Sequence, residues 1–243
     1  MKKVIIIGFL GVIAYYLLSA FASVPFGADL IKGVKDFYLD KSPNDLKVAN
    51  VVTSIVVNFR GFDTLGEVTV LFLASTALGS ILYRRRSHDS GLNPQRTAPE
   101  ASALVQTGAK VIFPFTIMLG AYIFIHGHLT PGGGFQGGAI IATGFLLMLV
   151  SYRKFFIEHN ALTWIEAIAG STFVILGLLG LVYANNHNFL ENFLPAGKLN
   201  DLLSGGIIGI IYVAVGFKVG AEITGILDTL LTVKETGLDP EEN

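Results

Sequence analysis

Apolar residues in this chain come in long runs separated by short polar stretches, and the run lengths set the architecture. Crossing a hydrocarbon core of about 30 Å takes roughly 20 residues of helix at about 1.5 Å per residue. Six stretches qualify: Val4 to Ala22, Leu65 to Tyr83, Leu104 to Ile125, Phe135 to Tyr152, Ile165 to Ala184 and Leu202 to Asp228. A seventh, Leu46 to Phe59, would reach only about 21 Å as a helix. Its polar residues Lys47, Asn50, Ser54 and Asn58 recur at spacings of three and four, which places them on one helical face. That pattern predicts an amphipathic helix lying in the interface or half-entering a protein interior. The expected fold is an all-α polytopic membrane protein, with about six transmembrane helices plus one short amphipathic or half-membrane helix.

Basic residues orient these spans. The first run follows Lys2-Lys3 and ends in Ala20-Phe21-Ala22, a pattern shared with signal peptides; it is read as a retained helix. With Leu46 to Phe59 not crossing and the N-terminus inside, the inner side collects Lys2, Lys3, Arg84, Arg85, Arg86, Arg96, Arg153, Lys154 and Lys234. The outer side holds Lys32, Lys35, Lys41, Lys47 and Lys198. If the short run crossed, Arg84-Arg85-Arg86 would fall outside. Both termini are therefore expected in the cytoplasm, in the cell membrane. A polar stretch with Pro94 and Pro99 reads as a linker. It divides the chain into a two-span module (1–83), a linker (84–103) and a four-span module (104–243). No internal repeat is visible, so the inverted-repeat layout of a self-sufficient secondary transporter is missing.

Composition removes whole classes of function. Of 243 residues, 52% are apolar and 14% charged, against roughly 25% charged in soluble domains; an ordinary soluble fold is excluded. A net charge of −1 gives no footprint for nucleic acid. With no cysteine, disulfides, thiol catalysis and cysteine-held iron–sulfur or zinc sites are excluded.

What remains is a small set of charges in or near apolar helices. Arg60, Asp63 and Glu67 stand at helical spacing in Asn58-Phe59-Arg60-Gly61-Phe62-Asp63-Thr64-Leu65-Gly66-Glu67, at the mouth of a span. A membrane carboxylate costs several kcal/mol unless paired, protonated or wetted, and its usual justification is an ion path. The plainer reading makes Asp63 a cap and Glu67 a first-turn acid favoured by the helix dipole. Lys218 and Glu222, at i, i+4, are placed to pair, with Lys218 near enough to the inner end to snorkel. Lys110 has the same escape, Glu166 belongs in a first turn, and Asp228 at the cytoplasmic edge. His126 and His128 lack the further ligands of a metal site; they read as a helix-end pair at the membrane surface or as proton handlers. Gly133 with Gly137, and Gly134 with Gly138, form small-xxx-small pairs that let a neighbouring helix approach closely; Gly205 with Gly209 and Gly216 with Gly220 repeat the device in the last helix. Phosphate binding is a weaker reading of the glycine block, which has neither a GKS/GKT ending nor a preceding strand.

The run HGHLTPGGGFQGGAI, with Asn192-Phe193-Leu194-Pro195 and Leu203-Ser204-Gly205-Gly206, resembles the B-type component of the Mrp-type multisubunit cation/proton antiporters over about Leu104 to Asp228. VVNFRGFDTLGE is similar to the C-terminal end of their A-type component. Counterparts of both pieces occur in archaeal membrane-bound hydrogenases and sulfane-sulfur reductases, and their fusion in one short chain points to the reductase type. The resemblance implies a non-catalytic subunit of a sodium/proton translocation module, with Glu67 serving cation movement and Asp63 and Arg60 as its companions. Its implied partners are other Mrp-like antiporter subunits, hydrogenase-like redox subunits and lipid. No cofactor is expected on this chain, and Na+ is the expected transported ion. Competing readings are a subunit of a stand-alone antiporter, a self-sufficient transporter or channel, and a membrane enzyme.

Overall fold

The computed structural model describes residues 2–23, 33–86, 101–152, 155–184 and 188–236. They are helical: α1 (Lys2–Ser23), α2 (Val34–Asn44), α3 (Val51–Ser54), a π-helical turn (Ile55–Phe59), α4 (Gly61–Arg86), α5 (Ala103–Ile125), α6 (Gly134–Ser151), α7 (His159–Tyr183) and α8 (Ile207–Thr236). Two compact units divide within α2, Met1–Phe37 and Tyr38–Asn243. The expected linker falls largely on residues 87–100, outside the described residues; α4 runs on through Arg86.

In the first unit α1 carries the apolar stretch Ile6–Ala22. Among the described residues, five helices are long and apolar enough to cross a membrane, α4, α5, α6, α7 and α8, and the apolar stretch of α1 is shorter. Together they account for the six apolar runs. The polar α2 carries no long apolar stretch, which is why run lengths do not reveal it; Asp36 in its first turn and Lys41 in its last suit the helix dipole.

The second unit is built around α8, against which α4, α5, α6 and α7 all pack. Glycine makes the closest of these approaches. A side chain at Gly138 would stand 2.7 Å from the Gly216 carbonyl oxygen and 2.9 Å from the Gly220 nitrogen. Gly134 lies against Tyr212 and Val215 in the same sense, so α6 and α8 run parallel. Gly137 faces the Gly120 carbonyl and Phe124 of α5 instead. The apolar core spreads from α8, where Ile207, Ile208, Ile211 and Val219 are fully buried, to Val68 of α4 and Phe173 of α7.

Residues 46–59 enter this protein interior instead of lying at an interface, and only part of the stretch is α-helical. Lys47 has a left-handed backbone (φ 57°), so it is not on the helical face its spacing predicted. Asn50 caps α3 through Thr53 N–H, and its amide donates to the carbonyls of Gly127 and Thr130, both at 2.9 Å. Thr53 Oγ1 donates to the Gly127 carbonyl at 2.6 Å, and buried Ser54 bonds Ser42. Arg60 N–H closes the π turn onto Ile55 O at 2.7 Å. Thr64 Oγ1 donates to the Val56 carbonyl at 2.5 Å.

Candidate ion-translocation site

The structure separates the membrane charges into two groups. On α4, Gly61, Thr64 and Val68 are buried at spacings of three and four and define the inward face. Asp63 and Glu67 each precede an inward residue by one position, a rotation of about 100°, and both are exposed. Arg60 lies just before α4 in a non-helical conformation (φ −129°, ψ 36°) and pairs with Asp63 at 2.5 Å. The expected charge group therefore forms across a turn and not along one helix. Glu67, one turn further on, makes no hydrogen bond or ion pair among the described residues.

The second group surrounds α8. Within the apolar stretch Ile207–Leu231, Lys218 stands about 16 Å from the first residue and Glu222 about 14 Å from the last. Neither is near an end. The expected snorkelling of Lys218 is thereby corrected, because the apolar stretch runs past Asp228 to Leu231 and leaves the inner end about 20 Å from Lys218; at the other end residues 202–206 form turns and α8 starts at Ile207, not at Leu202. Lys218 Nζ donates to Glu222 Oε1 at 2.7 Å, lies 3.7 Å from Glu166 Oε1, and stands 5.2 Å from the centre of the Phe72 ring. Glu166 is not in a first turn, since α7 begins at His159. Asp228 is 8% exposed and lies 3.6 Å from His159 at the start of α7. Between α4 and α7 runs a cleft of about 480 Å³, lined by Phe72, Ser75, Thr76, Glu166 and Lys218 among others. Glu67 is not in its lining.

His126 ends α5, its ring stacked on Tyr122 at 4.3 Å and Nδ1 3.1 Å from the Tyr122 carbonyl. His128 is 1% exposed, so it is not a surface residue. Burial pushes its imidazole below the usual range; the nearby peptide groups of Asp201, Leu202 and Ile125 oppose this in part. Neither ring nitrogen has a hydrogen-bond partner. The two imidazoles thus differ in kind, and the loop that carries them serves as a row of carbonyl acceptors. Asn50 N–H donates to the His128 carbonyl at 3.1 Å.

The glycine pairs also divide. Gly134 and Gly138 face α8 and Gly137 faces α5, whereas Gly133 is the α6 N-cap. Gly205 and Gly206 precede α8 in left-handed turns (φ 81° and 58°), so Gly205 with Gly209 is not a helix-packing pair. Only glycine adopts that backbone freely. Asn192 pins this turn, donating to Gly205 O at 3.3 Å and accepting from Ile207 N–H at 3.2 Å. The spacing arguments missed Asn192, Phe72 and Thr53 as site-building residues; Asn192 is at least flagged by its place in the Asn-Phe-Leu-Pro run.

These features define a class: a multi-pass helical membrane protein with a buried charge pair at mid-membrane and an outward charge group on a second helix. Residues 104–225 match the family described as a domain related to the MnhB subunit of Na+/H+ antiporter, and residues 4–98 match MbhE, one of the subunits of MBH. The chain belongs to the MnhB-related family and is a subunit of a cation/proton antiporter module. A Methanocaldococcus jannaschii protein of uncharacterized function is 27% identical, covering 86% of this chain and 88% of its own. A Rhizobium meliloti protein described as a probable K+/H+ antiporter A/B subunit is 30% identical over 68% of this chain, but only 19% of that protein. Among solved structures, a chain of the archaeal membrane-bound sulfane sulfur reductase complex (MBS) is 42% identical with a TM-score of 0.75, over 95% of this chain and 98% of that one. A chain of the Mrp complex from Dietzia sp. shares the fold at TM-score 0.67 and 24% identity, over 100% of this chain and 27% of that one.

Proposed function

We propose that this chain is a non-catalytic subunit of a sodium/proton translocation module driven by a redox arm of the sulfane reductase type, and that Glu67 serves cation movement at its contact with a neighbouring subunit. One observation carries the reading: Glu67 is an exposed, unpaired carboxylate on a membrane-spanning helix. Such a group is costly in lipid, and a partner helix, water or a passing cation relieves it. Arg60 and Asp63, already paired, set the local charge. The redox assignment is supported by the 42% identity to a sulfane reductase chain covered almost end to end. Na+ is the proposed cargo, and the proposed setting is the cell membrane with both termini cytoplasmic.

Glu67→Gln is expected to abolish sodium-coupled transport by the whole complex in proteoliposomes while its subunits still co-purify; Glu67→Asp is expected to retain part of the activity. Wild-type transport by Glu67→Gln removes the role of Glu67. Mass spectrometry of the complex gently extracted from native membranes tests the setting. Iron–sulfur subunits in the eluate support the redox-driven pump, and antiporter subunits alone replace it with a stand-alone exchanger.

A further inference from the structure

We propose that Glu222, Lys218 and Glu166 form a second monovalent-cation site inside this chain, loaded through the cleft between α4 and α7, with Lys218 as its tethered cation. The inference rests on the antiporter-module reading for its biological sense, but its grounds are local. Two carboxylates meet one ammonium, which leaves one negative charge uncompensated in mid-membrane. Glu222 is 1% exposed; one of its oxygens takes the Lys218 bond at 2.7 Å and the other, Oε2, is buried with no hydrogen-bond partner. A buried carboxylate oxygen left bare in this way is costly. A bound proton or a small cation is the species that removes the cost.

Among the described residues, no other ionisable group is placed to supply the missing charge. α6 and the π turn contain none. α4 presents Phe72, Ser75 and Thr76 to the cleft. Lys110 of α5 is held over the Tyr152 ring, and His159 of α7 lies beside Asp228. Access is provided by the cleft, whose wall includes the hydroxyls of Thr69, Ser75, Thr76 and Thr163 together with Glu166 and Lys218. Hydroxyl and carboxylate oxygens are the ligands that hard cations take. Lys218 stands between this cleft and Glu222. In one conformation its ammonium lies 2.7 Å from Glu222 and 3.7 Å from Glu166, so a small swing of the flexible side chain is enough to exchange the nearer partner. A cation arriving at Glu166 favours Lys218 on Glu222; a cation on Glu222 releases Lys218 towards Glu166.

Infrared difference spectroscopy on the whole purified complex tests this, first adding sodium chloride against choline chloride at fixed pH, then stepping pH in choline chloride alone. A carboxyl band that changes in the wild type, vanishes in Glu222→Gln and shifts in Glu166→Gln is the expected result. Response to sodium identifies Na+ as the occupant; response to pH alone identifies a proton. A silent wild-type spectrum, or a band unchanged in both variants, overturns the proposal. If Glu222→Gln does not assemble, the neutral double variant Lys218→Met with Glu222→Gln takes its place, and a band that survives in it overturns the site. The two readings fail separately: a wild-type complex that shows the band but no sodium-coupled transport loses the antiporter reading and keeps the site.

Discussion

Two helices of similar apolarity meet different surroundings. In the most apolar stretch of α8, 72% of residues are buried within this chain; in that of α4 the share is 11%. The charges follow suit. Lys218 and Glu222 on α8 find each other and Glu166, whereas Glu67 on α4 finds no bonding partner among the described residues. A charge group enclosed by the chain's own helices is a site within this chain; a charge left bare on an outward face describes a surface completed by another subunit. Chemistry assigned from charge alone would treat both groups alike. Their burial divides them.

The sharpest way to break this comparison is to remove one charge from each helix. Lys218→Ala leaves Glu222 buried without its cation, a class of change that costs about 3–5 kcal/mol. The complex is expected to lose thermal stability and the chain to accumulate poorly. Glu67→Gln is expected to leave both unchanged while transport fails. Equal stability losses in the two variants would erase the distinction between an inward and an outward helix. Next in size is Gly138→Val, which drives a side chain against the Gly216 carbonyl oxygen 2.7 Å away. Overpacking of this kind costs about 1–3 kcal/mol, and the loss of α6 contact with α8 would appear as a lower unfolding temperature of the complex.

Much of this division is invisible to sequence spacing, for identifiable reasons. Run length located the spanning helices because hydrocarbon thickness sets helix length. It failed at the ends, where residues 202–206 are apolar enough to extend a run yet form turns, with left-handed glycines pinned by Asn192. At the other end the run stops at Asp228 while the apolar stretch continues to Leu231; both errors move the apparent centre of the span to the N-terminal side of Lys218, which makes room for snorkelling beside pairing. The stretch from Leu46 to Phe59 shows a second limit. Its polar spacing is real, and Asn50 and Ser54 do bond into the protein, but a π turn at Ile55–Phe59 shifts the later residues out of register. Periods of 3.6 residues do not reveal an i→i+5 bond. The i, i+4 pairing of Lys218 with Glu222 was legible because it needs only one helix. Glu166 required knowing that α7 packs antiparallel to α8, a relation that no local pattern carries.

A smaller effect separates the two histidines of the Gly-rich loop. Burial holds His128 below its ordinary pKa. In the window between its folded value and about 6.5, the unfolded chain binds more protons, so this stability is complete above about 6.5 and is lost as the pH falls from there through the folded value. Thermal unfolding of the complex across that range is expected to show the acid-side loss in the wild type. His128→Phe replaces the unpartnered ring by an apolar one of similar shape, a change that is nearly neutral at higher pH. It should flatten the acid limb. His126→Phe, at the helix end on Tyr122, should leave the limb in place; a flattened profile there would reassign the sensitivity.

The smallest effect addresses the outward face of α4 directly. A side chain at Gly66 meets nothing within 4 Å in this chain, and Gly66 is exposed beside Glu67. Replacing glycine by alanine within a helix gains about 1 kcal/mol or less, so Gly66→Ala is expected to match or slightly exceed the wild type in unfolding temperature. Enlarging the residue asks a different question. If this face meets only lipid, Gly66→Phe should be as harmless as Gly66→Ala. If it meets a neighbouring subunit, as the unpaired Glu67 argues, Gly66→Phe should leave the chain in the membrane but reduce the partner subunits recovered with it. Full recovery of those partners would place the neighbour elsewhere and leave Glu67 facing lipid or water, where its proposed role would need a route that does not cross a subunit boundary.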